Sequence, residues 1–120
     1  MFEIKFFETE SGERPVEKLL NSLEAAGKTN KTARLRWQKL RAYIDALAEK
    51  GTWVGQPITK HLSGEIWELR PLDDRVLYFF VKNDHEFVLL HHFIKKTNKT
   101  PPREIERAKR EMQDYLERNG

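Results

Sequence analysis

The chain has 120 residues, 22 Lys plus Arg against 19 Asp plus Glu, and no cysteine. One domain of ordinary size accommodates that length. The missing thiols exclude disulfides, thiolate catalysis and cysteine-type zinc sites, and they fit a reducing compartment. No apolar run approaches the ~20 residues of a membrane span, and MFEIKFFETE carries no basic-then-apolar leader, so a single cytoplasmic domain over residues 1–120 is expected.

The net charge of +3 conceals a segregated pattern. Residues 1–27 hold three cations and six anions, residues 28–61 eight and two, residues 62–94 three and six, and residues 95–120 eight and five. Six cations and no anion lie between Lys28 and Arg41. Blocks of this kind either solvate helix faces or gather phosphates and steer nucleic acid.

In chain order, Phe2-Glu3-Ile4-Lys5-Phe6 alternates apolar with charged and reads as a strand. Pro15 opens a helix carrying Val16, Leu19, Leu20 and Leu23, and Gly27 ends it. A longer helix from about Thr29 to Lys50 bears the stripe Ala33, Trp37, Leu40, Ile44 and Leu47, with Gly51 at its end. The pattern then changes. A short segment at Ile58–Leu62, the Ser63-Gly64 turn, and runs at Ile66–Arg70, Arg75–Val81 and Glu86–Ile94 predict strands joined by tight turns. Pro101-Pro102 opens a last helix with Ile105, Ala108, Met112 and Tyr115 or Leu116 along one face. The order β-α-α-β-β-β-α describes an α+β domain: a small antiparallel sheet, mixed at one edge, with two amino-terminal helices on one face and a carboxy-terminal helix.

Arg70 and Arg75 flank one strand connection, which brings two guanidiniums close together. Glu68, Asp73 or Asp74 neutralise them, or the pair forks a phosphate. His91 and His92, adjacent in a strand, face opposite ways and cannot share a metal. One is expected to face the core against backbone groups, and the other is free to move protons. Lys95, Lys96 and Lys99 cluster with Thr97, Asn98 and Thr100 at the strand exit. With Tyr78, these are parts from which metal-free RNA scission can be built: a base for the 2′-hydroxyl, cations for the pentacoordinate phosphate, and an acid for the leaving oxygen. Neither GxGxxG nor GxxxxGK[ST] occurs, so no cofactor is expected.

The series Gly64-Glu65-Ile66-Trp67-Glu68-Leu69-Arg70-Pro71, Arg75-Val76-Leu77-Tyr78-Phe79 and Leu89-Leu90-His91-His92-Phe93-Ile94-Lys95-Lys96-Thr97-Asn98-Lys99-Thr100-Pro101 resembles the phage-derived Gp49-like, or HigB-type, branch of the RelE/ParE toxin superfamily. The resemblance is close over residues 58–112 and in outline before them. It implies a toxin of a type II toxin–antitoxin module, most often an mRNA endonuclease working in the ribosomal A site. The implied partner is a helix-turn-helix antitoxin, with operator DNA reached only through that complex. Matched to the family pattern, Arg70 and Arg75 are its strand arginines, Tyr78 its strand tyrosine, and Lys95 and Lys96 the basic pair after the last strand; with His91 they are the expected catalytic set, Lys60, His92, Lys99 and Arg103 are the expected RNA contacts, and no metal is expected. Glu68 departs from the lysines that the RelE branch carries on this strand, and His92 replaces a small residue, so the general base stays open. The ParE branch uses the same fold against gyrase, and an inactive regulator-binding module is a third reading.

Overall fold

In the computed structural model, which describes residues 1–119, β1 (Glu3–Phe6) leads into α1 (Pro15–Ala26) and α2 (Lys31–Lys50). A single 3₁₀ turn (Gly51–Val54) precedes β2 (Thr59–Ser63), β3 (Ile66–Leu69), β4 (Asp74–Val81) and β5 (Glu86–Ile94), and α3 (Pro102–Asn119) closes the chain. Local chemistry sets these boundaries. Pro15 occupies the first turn of α1, where its missing N–H costs nothing. The Asn30 side chain accepts from the Ala33 amide at 2.9 Å and caps α2. Gly51 then stops α2 at φ +62°, in the left-handed region. A Cβ there would meet the Phe2 ring at 2.9 Å. Gly51→Ala is therefore expected to destabilise by about 1–3 kcal/mol, read as a lower denaturant midpoint at unchanged slope.

The five strands lie in the order β1-β5-β4-β3-β2. β2 to β5 form an antiparallel meander, while β1 joins the far edge parallel to β5, with Glu3 opposite Glu86 and Phe6 opposite Leu89. This is the mixed edge expected from the sequence. The sheet is covered on both faces. α1 and α2 bury Val16, Leu23, Leu40, Ile44 and Leu47 against Leu69, Val76, Tyr78, Phe87 and Leu89. α3 lays Ala108, Met112 and Tyr115 on Ile66, Leu77, Phe79, Val88 and Leu90. The alternation of the strands separates these two sets, as the pleat requires. It also explains why β4 and β5 read as almost unbroken apolar runs, since both of their faces are inside.

One irregularity positions everything that follows. Leu77 stands opposite His91 but Tyr78 opposite Leu89, so Leu90 is an extra residue in β5. A bulge of this kind leaves two successive side chains on the same side and re-aims those beyond it. Leu90 and His91 both point at α3, and His92 turns to the α2 face. No helix among the described residues is long and apolar enough to cross a membrane.

Candidate functional site

The carboxyl ends of β3 and β5, the start of β4 and the loop 95–101 meet at one end of the sheet. On the α3 side of that end lie Glu68, Arg70 and Arg75. The turn between the two arginines places Leu72 at φ +55°, a conformation that a branched side chain seldom adopts. Arg75 secures it: Nη1 donates to the carbonyls of Leu72 at 2.8 Å and Asp74 at 2.9 Å. Arg75 is only 6% exposed, so it is not the rim cation that its place beside a turn suggests.

The carboxylates expected to neutralise the arginine pair divide unevenly. Glu68, 1% exposed, lies 3.5 Å from Arg70 Nε through Oε2 and accepts from Thr100 Oγ1 at 2.8 Å through Oε1. Asp74 turns to the other face. Among the described residues no carboxylate lies within ion-pair distance of Arg75. Burial first, and then the neighbouring charge of Arg70, hold the Arg75 guanidinium below its ordinary range, against the pull of Glu68, Asp73 and Asp74. A buried cation without its own anion is costly unless an incoming anion completes it. Lys95, Lys96, Thr97, Asn98 and Lys99 curve over Arg75 and enclose a small recess. Lys60, on the edge strand β2, stands opposite Glu68 and extends the same face. Arg103 projects from the first turn of α3 with its side chain 80% exposed.

On the α2 side, Asp74 is gripped by Arg36, whose Nε reaches Oδ2 at 3.0 Å and Nη2 reaches Oδ1 at 2.7 Å. His92 Nε2 donates to the same Oδ1 at 2.9 Å. Burial raises the Asp74 carboxyl, but the hydrogen bonds from His92 and Arg36 and their charges outweigh it and bring the pKa down to about 2. A carboxylate depressed from 3.8 contributes stability that is complete above its unfolded value and is lost as pH falls through the folded one. On the order of 2 kcal/mol is therefore expected to disappear between about pH 5 and pH 2. Denaturant midpoints across that range should fall less steeply in Asp74→Asn than in the wild type.

Two of the expected site residues, Tyr78 and His91, are placed in the core, and Tyr115 of α3 also lies away from the site. Tyr78 is fully buried on the α1/α2 face, edge-on to Phe87, with its hydroxyl 2.5 Å from Thr59 Oγ1. Burial raises the phenol despite that hydrogen bond, so it is a core residue away from the cations. His91 is also fully buried, and its partners are carboxylates rather than the backbone groups expected: Nε2 lies 3.0 Å from Glu104 and Nδ1 2.5 Å from Glu111, both on α3. It ties α3 to the sheet and reaches no solvent. Tyr115 is held at the opposite end of the sheet by Glu86 at 2.9 Å, and burial followed by that contact pushes its phenol up to about 12. Arg36, by contrast, joins the site although the sequence shows it only as one member of a basic block. No spacing rule predicts its Asp74 partner 38 residues away.

The fold so described, a mixed five-stranded sheet between a helix pair and a single helix with a basic end, is of the RelE type. A chain in the crystal structure of the archaeal RelE–RelB complex from Pyrococcus horikoshii OT3 superposes with a TM-score of 0.53 at 15% identity, covering 79% of this chain and 96% of that one. Residues 21–113 match the family of phage-derived Gp49-like proteins (DUF891), and the chain belongs to that family. Among curated proteins none matches.

Proposed function

We propose that this protein is the toxin of a toxin–antitoxin pair and an endoribonuclease that cuts mRNA on the ribosome. The observation that carries the reading is Arg75: a nearly buried guanidinium, without a carboxylate partner, beneath a loop of three lysines. Phosphate is the anion that such a fork accepts best. Arg75 and Arg70 would hold the scissile phosphate and stabilise the charge that builds on it. Lys95, Lys96 and Lys99 would draw the backbone in, with Lys60 and Arg103 extending the track. Membership in the Gp49-like family supports the toxin class, and the likeness to a RelE–RelB complex supports an antitoxin as partner.

A helix-turn-helix antitoxin that alone contacts operator DNA fits this arrangement. Its docking site is inferred at the amino-terminal edge, where β1 has a neighbour on one side only. The aromatics there are packed. Phe7 is buried, and Phe2 stacks on His85 with ring centroids 4.3 Å apart while touching Phe80 and Phe87. The backbone edge is the surface on offer. The test of function is pulse labelling after induction. Protein synthesis should collapse first, with cleaved mRNA detectable by primer extension. DNA replication failing first, with mRNA intact, points to a gyrase poison instead.

A further inference from the structure

The same five residues occur twice in this chain, as Lys28-Thr29-Asn30-Lys31-Thr32 and as Lys96-Thr97-Asn98-Lys99-Thr100. Each run leads into a helix, α2 from Lys31 and α3 from Pro102. The second run borders the recess over Arg75. The first forms the tip of the α1–α2 hairpin, where the proposed cleavage gives it no part. Both nevertheless reach the same end of the sheet. Arg36, ~9 Å along the axis of α2 from Asn30, grips Asp74, the first residue of β4. Asp74 stands opposite Ile94, directly before Lys95. Asp74 and Arg75 are consecutive in a strand and face opposite ways. The hairpin tip therefore flanks this end from the α2 face, and the loop 95–99 from the α3 face.

The first half of α2 is a cationic surface without anions of its own. Lys28, Lys31, Arg34 and Lys39 are exposed, and among the described residues none has a carboxylate within ion-pair distance. Glu24 borders a groove with Lys28 and Arg34 but reaches neither. The first partner along the exposed face is Asp45, 3.6 Å from Arg41. Helix α3 is the contrast within the same molecule: Arg107 pairs with Glu111, Lys109 with Glu106 and Arg118 with Asp114. Such pairs at i,i+3 and i,i+4 are how a solvated helix face balances its charge. The first half of α2 forgoes them and presents a field that an outside polyanion would neutralise.

We propose that the hairpin tip and the first half of α2, with Lys28, Lys31, Arg34 and Lys39, form a second RNA-binding tract that takes the backbone of a folded RNA. The kind of polyanion rests on the ribonuclease reading above, while the tract itself lies outside the cleavage centre. Lysine heads on long stems suit phosphates as movable point charges, and Thr29, Thr32 and Gln38 supply neutral donors between them. Lys31, Arg34 and Lys39 fall on one side of the helix over ~12 Å of its axis. A strand whose phosphate lies at Arg75 is on the other face of the sheet, so the tract meets a different segment of RNA. Paired RNA offers two strands side by side, and an unpaired one does not. The tract would hold the protein on structured RNA while the recess takes the strand to be cut.

Fluorescence anisotropy with a labelled stem-loop RNA, 2′-O-methylated throughout so that it stays intact, measures the tract apart from any cleavage. The wild type should bind the stem-loop more tightly than an unpaired strand of the same length. Lys28→Gln, Lys31→Gln and Lys39→Gln combined should weaken stem-loop binding on the order of 10–10²-fold and erase that preference. The slope of log affinity against log salt should fall by about one per lysine removed. Arg34 stays in place because its Nη1 donates to the Gly27 carbonyl at 2.8 Å and closes the hairpin turn. The reference variant combines Lys5→Gln, Lys18→Gln and Lys109→Gln, removing the same charge from lysines that have carboxylates at 3.3, 3.6 and 3.7 Å. It should bind close to the wild type. Equal losses in the two variants reduce the effect to net charge and overturn the tract, as does a hairpin-tip variant that binds like the wild type. If that variant keeps its RNA affinity but no longer captures the antitoxin, the surface belongs to an acidic protein segment and the proposal fails. The ribonuclease reading is tested separately, by cleavage of a defined mRNA in a cell-free translation system. A wild type that cuts nothing there overturns that reading, whatever the anisotropy shows.

Discussion

Arg75→Ala is expected to lower the rate of mRNA cleavage on the order of 10²-fold or more, as the loss of one preorganised donor does at other charge-stabilising sites. It should also destabilise the fold by about 1–3 kcal/mol, because the carbonyls of Leu72 and Asp74 lose their donor and the left-handed turn at Leu72 loses its tether. Lys96→Ala is the companion measurement. Lys96 is exposed and unpaired among the described residues, so its removal should cost a similar factor in rate and stay within about 0.5 kcal/mol in stability. Rates from the cleavage assay, beside denaturant midpoints for both variants, separate the two effects. If Lys96→Ala, folded and as stable as the wild type, kills cells at the wild-type rate, the basic end is not the catalytic centre.

The largest effect on stability is expected at His91. Its ring stands between the carboxylates of Glu104 and Glu111, whose side chains are 16% and 11% exposed, and carboxylates only accept hydrogen bonds. His91→Ala removes the donor from between two largely buried anions and leaves a cavity between α3 and the sheet. A loss of about 3–5 kcal/mol is expected. Replacing all three residues by apolar ones of similar volume should recover most of it, since an apolar contact needs no internal pairing. Hydrogen exchange should show where the damage falls: protection lost first along α3, with β4 and β5 protected until global unfolding. Should His91→Ala match the wild type in stability and still lose cleavage, the ring belongs to the chemistry and not to the seam.

Much of this molecule is legible in its residue order. Period-3.6 stripes, Pro15, Gly27 and Gly51 mark α1 and α2 to within a residue or two, because helices are stabilised by neighbours in sequence. The apolar runs and turn residues mark β3 to β5 for the same reason. The basic cluster is also visible, since Arg70, Arg75 and Lys95–Lys99 lie at strand ends that any hairpin brings together. Only the tertiary structure decided what each of those groups does. A single extra residue in β5 reversed the facing of the strand beyond it, so His91 went to α3 and His92 to Asp74 on the α2 side. The carboxylates that clamp or orient come from 13 to 38 residues away along the chain, as Glu104 does for His91 and Asp74 for Arg36. Pairing over such separations depends on register and packing, which propensity and periodicity do not contain.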